Sequence, residues 1–313
     1  MLGKRLLLYA LFLLLLPVIV AWFGISTAGA IALVVIALFW RWAISLSNLV
    51  APAKTPGLEL ETISASHFVE KVRWCMDRLG LEYTEKPTGG TLGAFFLGRT
   101  VPVLKFRTGA VRSQIGNSPE ILRYLWGRYC AGMPEQARFL EPTPERLEFE
   151  QRIDRCGVDL QVWVYFHILD SRELTLRAWG VSNPAIPAWQ RLALKLGFPL
   201  LRFLIRKSFR ITPAHHDKAV SHIDALLADV ESRLSDGRKS ILGGGSINYT
   251  DLAFCAIMGL WLQPRGYGGG KADTVRIDRE QYPRQMAGEI DAWSQSYPLA
   301  TGFIETLYAE QRQ

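Results

Sequence analysis

The sequence predicts three parts in series: an apolar N-terminal membrane segment, a small α/β domain and an all-helical domain. Three observations predict this order. Two long, nearly uncharged runs fill most of the first fifty residues. Short runs of strand character then alternate with one strongly periodic helix between residues 58 and 112. After Pro142 the apolar residues recur only at helical spacing.

The membrane segment comes first. Leu6 to Phe23 is uncharged and almost wholly apolar, long enough at ~1.5 Å per residue to cross most of a ~30 Å hydrocarbon core. Gly24 to Gly29 reads as a tight turn, and Ala30 to Leu46 as a second span interrupted only by Arg41. Lys4 and Arg5 precede the first span, Arg41 and Lys54 lie at the end of the second, and the turn carries no positive charge. Such a hairpin keeps both ends on the cytoplasmic side. Trp22 and Phe23 mark one interface; Phe39, Trp40 and Trp42 mark the other. A cleaved signal peptide fits Lys4-Arg5 and the first apolar run, but not the second run that follows at once.

The remainder has the balance of a folded chain, since 21% of all residues are charged and 49% hydrophobic. The whole chain's net charge of +7 suits an anionic membrane surface or a small anionic substrate. The basic residues form no concentrated run and no nucleic-acid-binding motif appears, so nucleic acid is not an expected partner. Cys75, Cys130, Cys156 and Cys255 are widely spaced and form no CxxC, which predicts reduced, structural thiols.

Asn48 to Gly57 is a proline-punctuated linker. Leu58 to Ile63 alternates as a strand, and Ser66 to Leu79 has Phe68, Val72, Cys75, Met76 and Leu79 at helical steps, ended by Gly80. Leu81 to Lys86 is a second strand and Pro87 to Arg99 a Gly/Thr-rich loop. Val101 to Phe106 and Ala110 to Arg112 are strands, and Ser118 to Tyr129 a helix. Further helices are expected over Glu145–Ser171, Ala214–Ser235, Asn248–Leu262 and Tyr282–Gln311. Trp189–Ser208 is apolar and basic, with Pro199 expected to break it. Asn248 and Asp251 form a capping box, with Ile247 packing on Leu252. The resulting boundaries are 1–56 for anchor and linker, 57–130 for the α/β domain and 142–313 for the helical domain.

Four segments in this order carry a resemblance: Ser66–Arg73, Val101–Leu104, Asn117-Ser118-Pro119-Glu120-Ile121-Leu122 and Tyr249–Phe254. Together they resemble the glutathione transferase family over roughly residues 57 to 310. Phe209–Pro213 with Asp236-Gly237-Arg238 looks like a bacterial subgroup of it. The resemblance implies a thioredoxin-like N-terminal domain followed by the family's all-helical C-terminal domain. It further implies that Ser66 activates the sulfur of glutathione. A free thiol has a pKa near ~8.5, and lowering it to ~6.5 with a hydroxyl donor and a helix N-terminus is worth roughly 2.7 kcal/mol. A serine before a helix is equally an ordinary N-cap. The resemblance assigns Val101-Pro102 to a cis-proline step that meets the cysteinyl part of glutathione, and Asn117 and Ser118 to its γ-glutamyl end. Asn117 stands where the family has an acidic residue. Val69 stands where the related bacterial subgroup often has cysteine, which leaves the motif without a redox thiol, and Cys75 is not expected to replace it.

The acceptor site is expected between the two domains, with Trp163, Tyr165 and His167 as the side chains to line it; an aromatic stripe at this spacing is also an ordinary core. His215, His216 and His222 find no Cys, Asp or Glu to complete a ligand set, so no metal is expected. Gly266 to Ala272 superficially resembles a phosphate loop but lacks its Ser/Thr and its strand. The expected function is a membrane-anchored glutathione S-transferase, in a bacterial inner membrane with its soluble part facing the cytoplasm. It conjugates or reduces a small hydrophobic electrophile with glutathione as co-substrate, a detoxification role. Membrane lipid is an expected partner and a homodimer a plausible assembly. The competing reading is a catalytically silent scaffold of the same fold at the membrane.

Overall fold

The computed structural model describes residues 15, 18, 22–24, 26–50, 57–89, 101–108 and 111–312, with the side chains of 41, 44–50, 107–108 and 111–112 left outside the description. It divides into two compact bodies: residues 1–57 with 106–113, and residues 58–105 with 114–313.

The first body holds helix α1 (Thr27–Val50), 24 residues long. Ile31, Val35, Ile36, Phe39, Trp40 and Trp42 are all exposed on it. Among the described residues no helix is long and apolar enough to cross a membrane. The first expected span, Leu6–Phe23, lies almost wholly outside those residues. The second, Ala30–Leu46, falls within α1, whose side chains are described only in part.

The remaining elements begin with a four-stranded sheet of order β2-β1-β3-β4. β1 (Gly57–Thr62) and β2 (Tyr83–Pro87) are parallel, with Leu58 opposite Tyr83 and Thr62 opposite Pro87. β3 (Val103–Thr108) and β4 (Val111–Gly116) are sheet neighbours joined by two residues, a connection that only antiparallel strands can make. β1 obeys its alternation. Leu60 and Thr62 are fully buried, while Glu59 pairs with Lys86 at 2.6 Å and Glu61 with Lys105 at 2.8 Å. The parallel pair is spanned by α2 (His67–Arg78), and Gly80, at φ 66°, closes that helix in the left-handed region open to glycine. α3 (Ser118–Tyr129) follows β4 and packs on α2. The fourth strand is longer than the expected Ala110–Arg112. The loop expected over Pro87–Arg99 lies mostly outside the described residues.

Then come α4 (Pro144–Ile168), α5 (Arg172–Ala178), α6 (Ala188–Ser208), α7 (Pro213–Leu234), α8 (Tyr249–Leu262), α9 (Arg284–Ser296) and α10 (Pro298–Gln311). A small mixed sheet with its helices therefore precedes a purely helical part, as the sequence leads one to expect. α8 is apolar on every side because it is covered on every side: it packs on α2, α4 and α10. Its capping box is present, with Asn248 N–H donating to Asp251 Oδ2 at 2.9 Å and Thr250 N–H to Asn248 Oδ1 at 2.9 Å. Asp251 also accepts from Ile241 N and Ser240 Oγ, both at 2.8 Å, so one carboxylate ties the preceding loop to the helix start.

Two helical expectations need correction. The segment Tyr282–Gln311 is two helices, because Pro298 cannot continue a helix but can open the next. Pro199, expected to break its segment, lies inside a continuous α6. Proline at 199 supplies no N–H to the carbonyl of Lys195, four residues back. Arg172 of α5 supplies the donor instead, from its guanidinium to Lys195 O at 2.9 Å, while its Cζ lies 5.9 Å from the Phe198 ring centre. We expect Arg172→Ala to destabilise the fold by about 1 kcal/mol, read as a lower thermal midpoint. An unchanged midpoint would mean that solvent satisfies that carbonyl.

Candidate functional site

The residues assigned to glutathione stand at the ends of three neighbouring strands. Ser66 follows β1 and caps α2, with backbone in the extended region and its hydroxyl accepting the Val69 N–H at 3.4 Å. The capping role and a ligand role are compatible: the hydroxyl oxygen accepts, which leaves its own O–H to donate. Val101-Pro102, at the entry to β3, is a cis peptide with Pro102 buried. Asn117-Ser118 lies between β4 and α3, on the same sheet edge as the entry to β3, since those strands form a hairpin.

Asn117 and Ser118 are unusual in different ways. Asn117 has φ 72° and ψ 131°, a conformation that costs a non-glycine residue about 1–3 kcal/mol. It is exposed and its side chain makes no capping bond. Ser118 is 1% exposed, and its Oγ has no hydrogen-bond partner among the described residues. An orphaned buried hydroxyl is rare in folded proteins, and here it sits at the first position of a 12-residue helix.

Behind Ser66, the second residue of the motif does structural work that the sequence did not reveal. His67 is 2% exposed and its Nε2 lies 2.9 Å from Gly157 O on α4. Burial lowers its imidazole to about 4, so the ring is neutral and Nε2–H donates to that carbonyl. The approach requires glycine, since a Cβ on Gly157 would come within 2.8 Å of Phe68 and 3.2 Å of His67. The position of His67 immediately after Ser66 was the only signal available.

The same helix carries three charges with no exposed side-chain surface, Glu70, Lys71 and Arg73. Lys71 Nζ meets Glu150 and Asp154, each at 2.8 Å, and Arg123 of α3 reaches Glu150 at 2.7 Å. On the other side, Arg73 bonds Glu70 at 2.9 Å and Glu85 at 2.6 Å, and Arg312 bonds Glu70 at 2.8 Å and Asp77 at 2.7 Å. These clusters fix the helix whose N-terminus presents Ser66.

Trp163, Tyr165 and His167 do not form one surface. Trp163 is fully buried and donates Nε1–H to Glu289 Oε2 at 2.6 Å. His167 Nε2 lies 3.0 Å from the same oxygen and His216 Nε2 3.3 Å. Burial works to raise the Glu289 carboxyl, but hydrogen bonds from His167, Trp163 and Gln285 outweigh it and hold the group down at about 2. Tyr165 turns to another cluster, against Phe209 at 5.6 Å and beside Leu169, Trp179 and Phe198. The expectation about histidines is corrected in part. His216 is buried, and an acid does join it: His167, His216 and Glu289 bring their ligand atoms within 4.8 Å of one another. A reading limited to residues near 215–222 had no means of finding Glu289, which is 73 residues away from His216.

Cys75, Cys156 and Cys255 are buried, and burial pushes the Cys75 thiol up to about 12, so it is a packing residue and not a nucleophile.

No family model and no curated protein matches the chain. Solved structures do. The similar structures include glutathione S-transferases of bacteria and plants. One, from Methylobacterium radiotolerans in complex with glutathione sulfonate, is 16% identical and aligns over 81% of this chain and 91% of its own with a TM-score of 0.47. Another, from Methylobacillus flagellatus with glutathione bound, is 15% identical over 82% and 98% with a TM-score of 0.47. The rice enzyme in complex with glutathione is 16% identical over 83% and 96%, with a TM-score of 0.40.

Proposed function

We propose that the chain binds glutathione and conjugates it through its sulfur to a hydrophobic electrophile, or reduces that electrophile with it, as a membrane-anchored member of the glutathione transferase family. One observation carries this reading: the buried, unpartnered hydroxyl of Ser118 at a helix N-terminus. Such a position asks for an anion that accepts from the hydroxyl and benefits from the helix dipole. The α-carboxylate of a γ-glutamyl group fits both demands. We assign the strained, exposed Asn117 beside it to the neighbouring amine, which it meets less strongly than a carboxylate would.

At the other end Ser66 offers its O–H to the sulfur, and the N-terminus of α2 favours the thiolate. The thiol proton leaves to solvent, and a sulfur lone pair then forms the S–C bond while the electrophile's leaving group departs with its bonding pair, or, in an addition, while the attacked π bond opens and its electron pair takes a proton from solvent. We expect Ser118→Ala to weaken glutathione binding about ten-fold, near 1.4 kcal/mol. Ser66→Ala should leave binding within a few-fold while slowing conjugation up to roughly 100-fold, the 2.7 kcal/mol that a two-unit rise in thiol pKa represents. Calorimetry and a thiol-conjugation assay on the detergent-solubilised chain separate the two. Folded protein that binds no glutathione would leave the silent scaffold, which Asn117 in place of an acidic residue favours.

We place the N-terminal apolar segment in the membrane and the rest in the cytoplasm. Two nearly uncharged apolar runs with basic flanks support this in the sequence, and the exposed aromatic and aliphatic side chains of α1 agree with it. A bacterial inner membrane agrees with the basic residues that flank the segment. Anchoring favours electrophiles that partition into lipid.

A further inference from the structure

α6 is apolar on two opposite sides. Leu194, Phe198, Leu201 and Ile205 form the buried stripe, packed with Leu169, Leu176 and Trp179. Trp189, Leu192, Leu196, Leu200 and Phe203 form a second stripe at three- and four-residue steps, and every one is exposed, from 56% at Leu192 to 74% at Leu196. At about 100° per residue the two stripes lie roughly half a turn apart. Single exposed apolar residues are ordinary; five in a continuous row along one helix mark a surface that something covers.

The charges say what covers it. α6 contains Arg191, Lys195, Arg202, Arg206 and Lys207 and no acidic residue. Lys195, Arg202 and Arg206 follow at spacings of seven and four, which lines them between the two stripes on one side of the helix, and Lys207 ends the exposed stripe; Arg191 turns toward the buried side, with its Nε out of solvent. Asp170 is shared between Arg202 and Arg206, so one acid offsets two of the five cations. Lys195 and Lys207 are exposed and have no ion pair among the described residues. A second copy of the chain in a two-fold contact would set ten cations around one apolar seam, which like-charge repulsion opposes. An anionic bilayer satisfies both halves of the pattern. It takes Trp, Leu and Phe below the headgroups and cations at their level, the arrangement of a helix lying in the interfacial plane.

We infer that α6 is an interfacial helix that docks the folded part of the chain onto an anionic lipid leaflet through Trp189, Leu192, Leu196, Leu200 and Phe203. The inference extends the proposed membrane anchoring, and it stands on different residues. Docking holds the helical part against the leaflet, where a lipid-dissolved electrophile is concentrated.

The test uses the full chain in lipid nanodiscs. An environment-sensitive dye is attached at Leu196→Cys, with Cys130, the native cysteine that is not buried, replaced by serine. The exposed Glu305→Cys on α10 serves as control. With phosphatidylglycerol in the disc, emission at 196 should shift to the blue and be quenched by doxyl-labelled lipid, while 305 stays water-like. Lys195→Gln should lower the ratio of docked to undocked chains about five-fold, the ~1 kcal/mol that one cation contributes at such a surface. Water-like emission at 196, or quenching that does not change when phosphatidylcholine replaces phosphatidylglycerol, overturns the inference. So does a blue shift without lipid quenching, which would indicate a protein cover such as a second copy. Retention of the chain in the disc reads the N-terminal anchor separately. A retained chain without quenching at 196 therefore removes the docking and keeps the anchor. A chain that is neither retained nor quenched with the same discs in excess overturns both.

Discussion

Glu70→Ala is expected to cost about 3–5 kcal/mol of folding stability, the usual effect of removing one partner from a buried ion cluster. The side chain has no exposed surface. Its carboxylate receives Arg73 NH1 at 2.9 Å, Arg312 Nε at 2.8 Å, and the Tyr308 hydroxyl at 3.4 Å. Alanine leaves two guanidinium groups inside the protein with less compensation, and that desolvation, more than the lost attraction, sets the size. Arg73 retains Glu85 and Arg312 retains Asp77, which keeps the loss within the stated range. Against a typical total of about 5–15 kcal/mol the change is large. Urea denaturation reads it as a lower midpoint at unchanged slope. A loss below about 1 kcal/mol would show that water enters this interior. Because Glu70 follows Ser66 by one helical turn, the same variant should also weaken glutathione binding if its structure loosens.

The second large effect is in pH. Burial pushes the His67 imidazole down to about 4 in the folded chain, against about 6.5 when unfolded. Between those values the unfolded chain holds a proton that the folded chain refuses, so stability falls as pH drops from 6.5 to 4. At about 1.36 kcal/mol per pH unit the full loss is roughly 3 kcal/mol. The group is buried, so solvent screening does not reduce it. Glu289 adds a later loss of the same sign. Its carboxyl is held at about 2, so the stability it lends is present above about 4.5 and disappears as pH falls toward 2. His67→Gln keeps an N–H for Gly157 O and cannot titrate. Its stability should be nearly flat between pH 7 and 5, where the unsubstituted chain declines. Parallel curves for the two proteins would remove His67 from the account.

What the sequence disclosed and what it withheld divide along range of interaction. Ser66 as a cap, Gly80 as a stop and the Asn248–Asp251 box are local devices, set within four residues, and each appears where its residues place it. The order of strands and helices was legible for the same reason. Burial of Glu70, Lys71 and Arg73 was not, since charged residues on a short helix ordinarily face water. Their partners Glu150, Asp154 and Arg312 lie 79 to 242 residues away in the chain, Glu70 and Arg312 being the most distant. Trp163 and His167 read as a stripe because they are four residues apart, but the acid that draws them together belongs to α9. The orphaned Ser118 hydroxyl needs a fold around it before it can be recognised as buried.

The helix that carries Pro199 ties that position to residue 172. While proline occupies 199, the carbonyl of Lys195 depends on Arg172, a residue on another helix. Were residue 199 to become alanine first, a backbone N–H would take over that carbonyl, and Arg172 would be free to drift. In the reverse order, losing Arg172 exposes the chain to the full cost of the missing bond. The two positions are thus coupled: relatives with proline at 199 should keep a long cationic donor at 172, and relatives without it should show variety there.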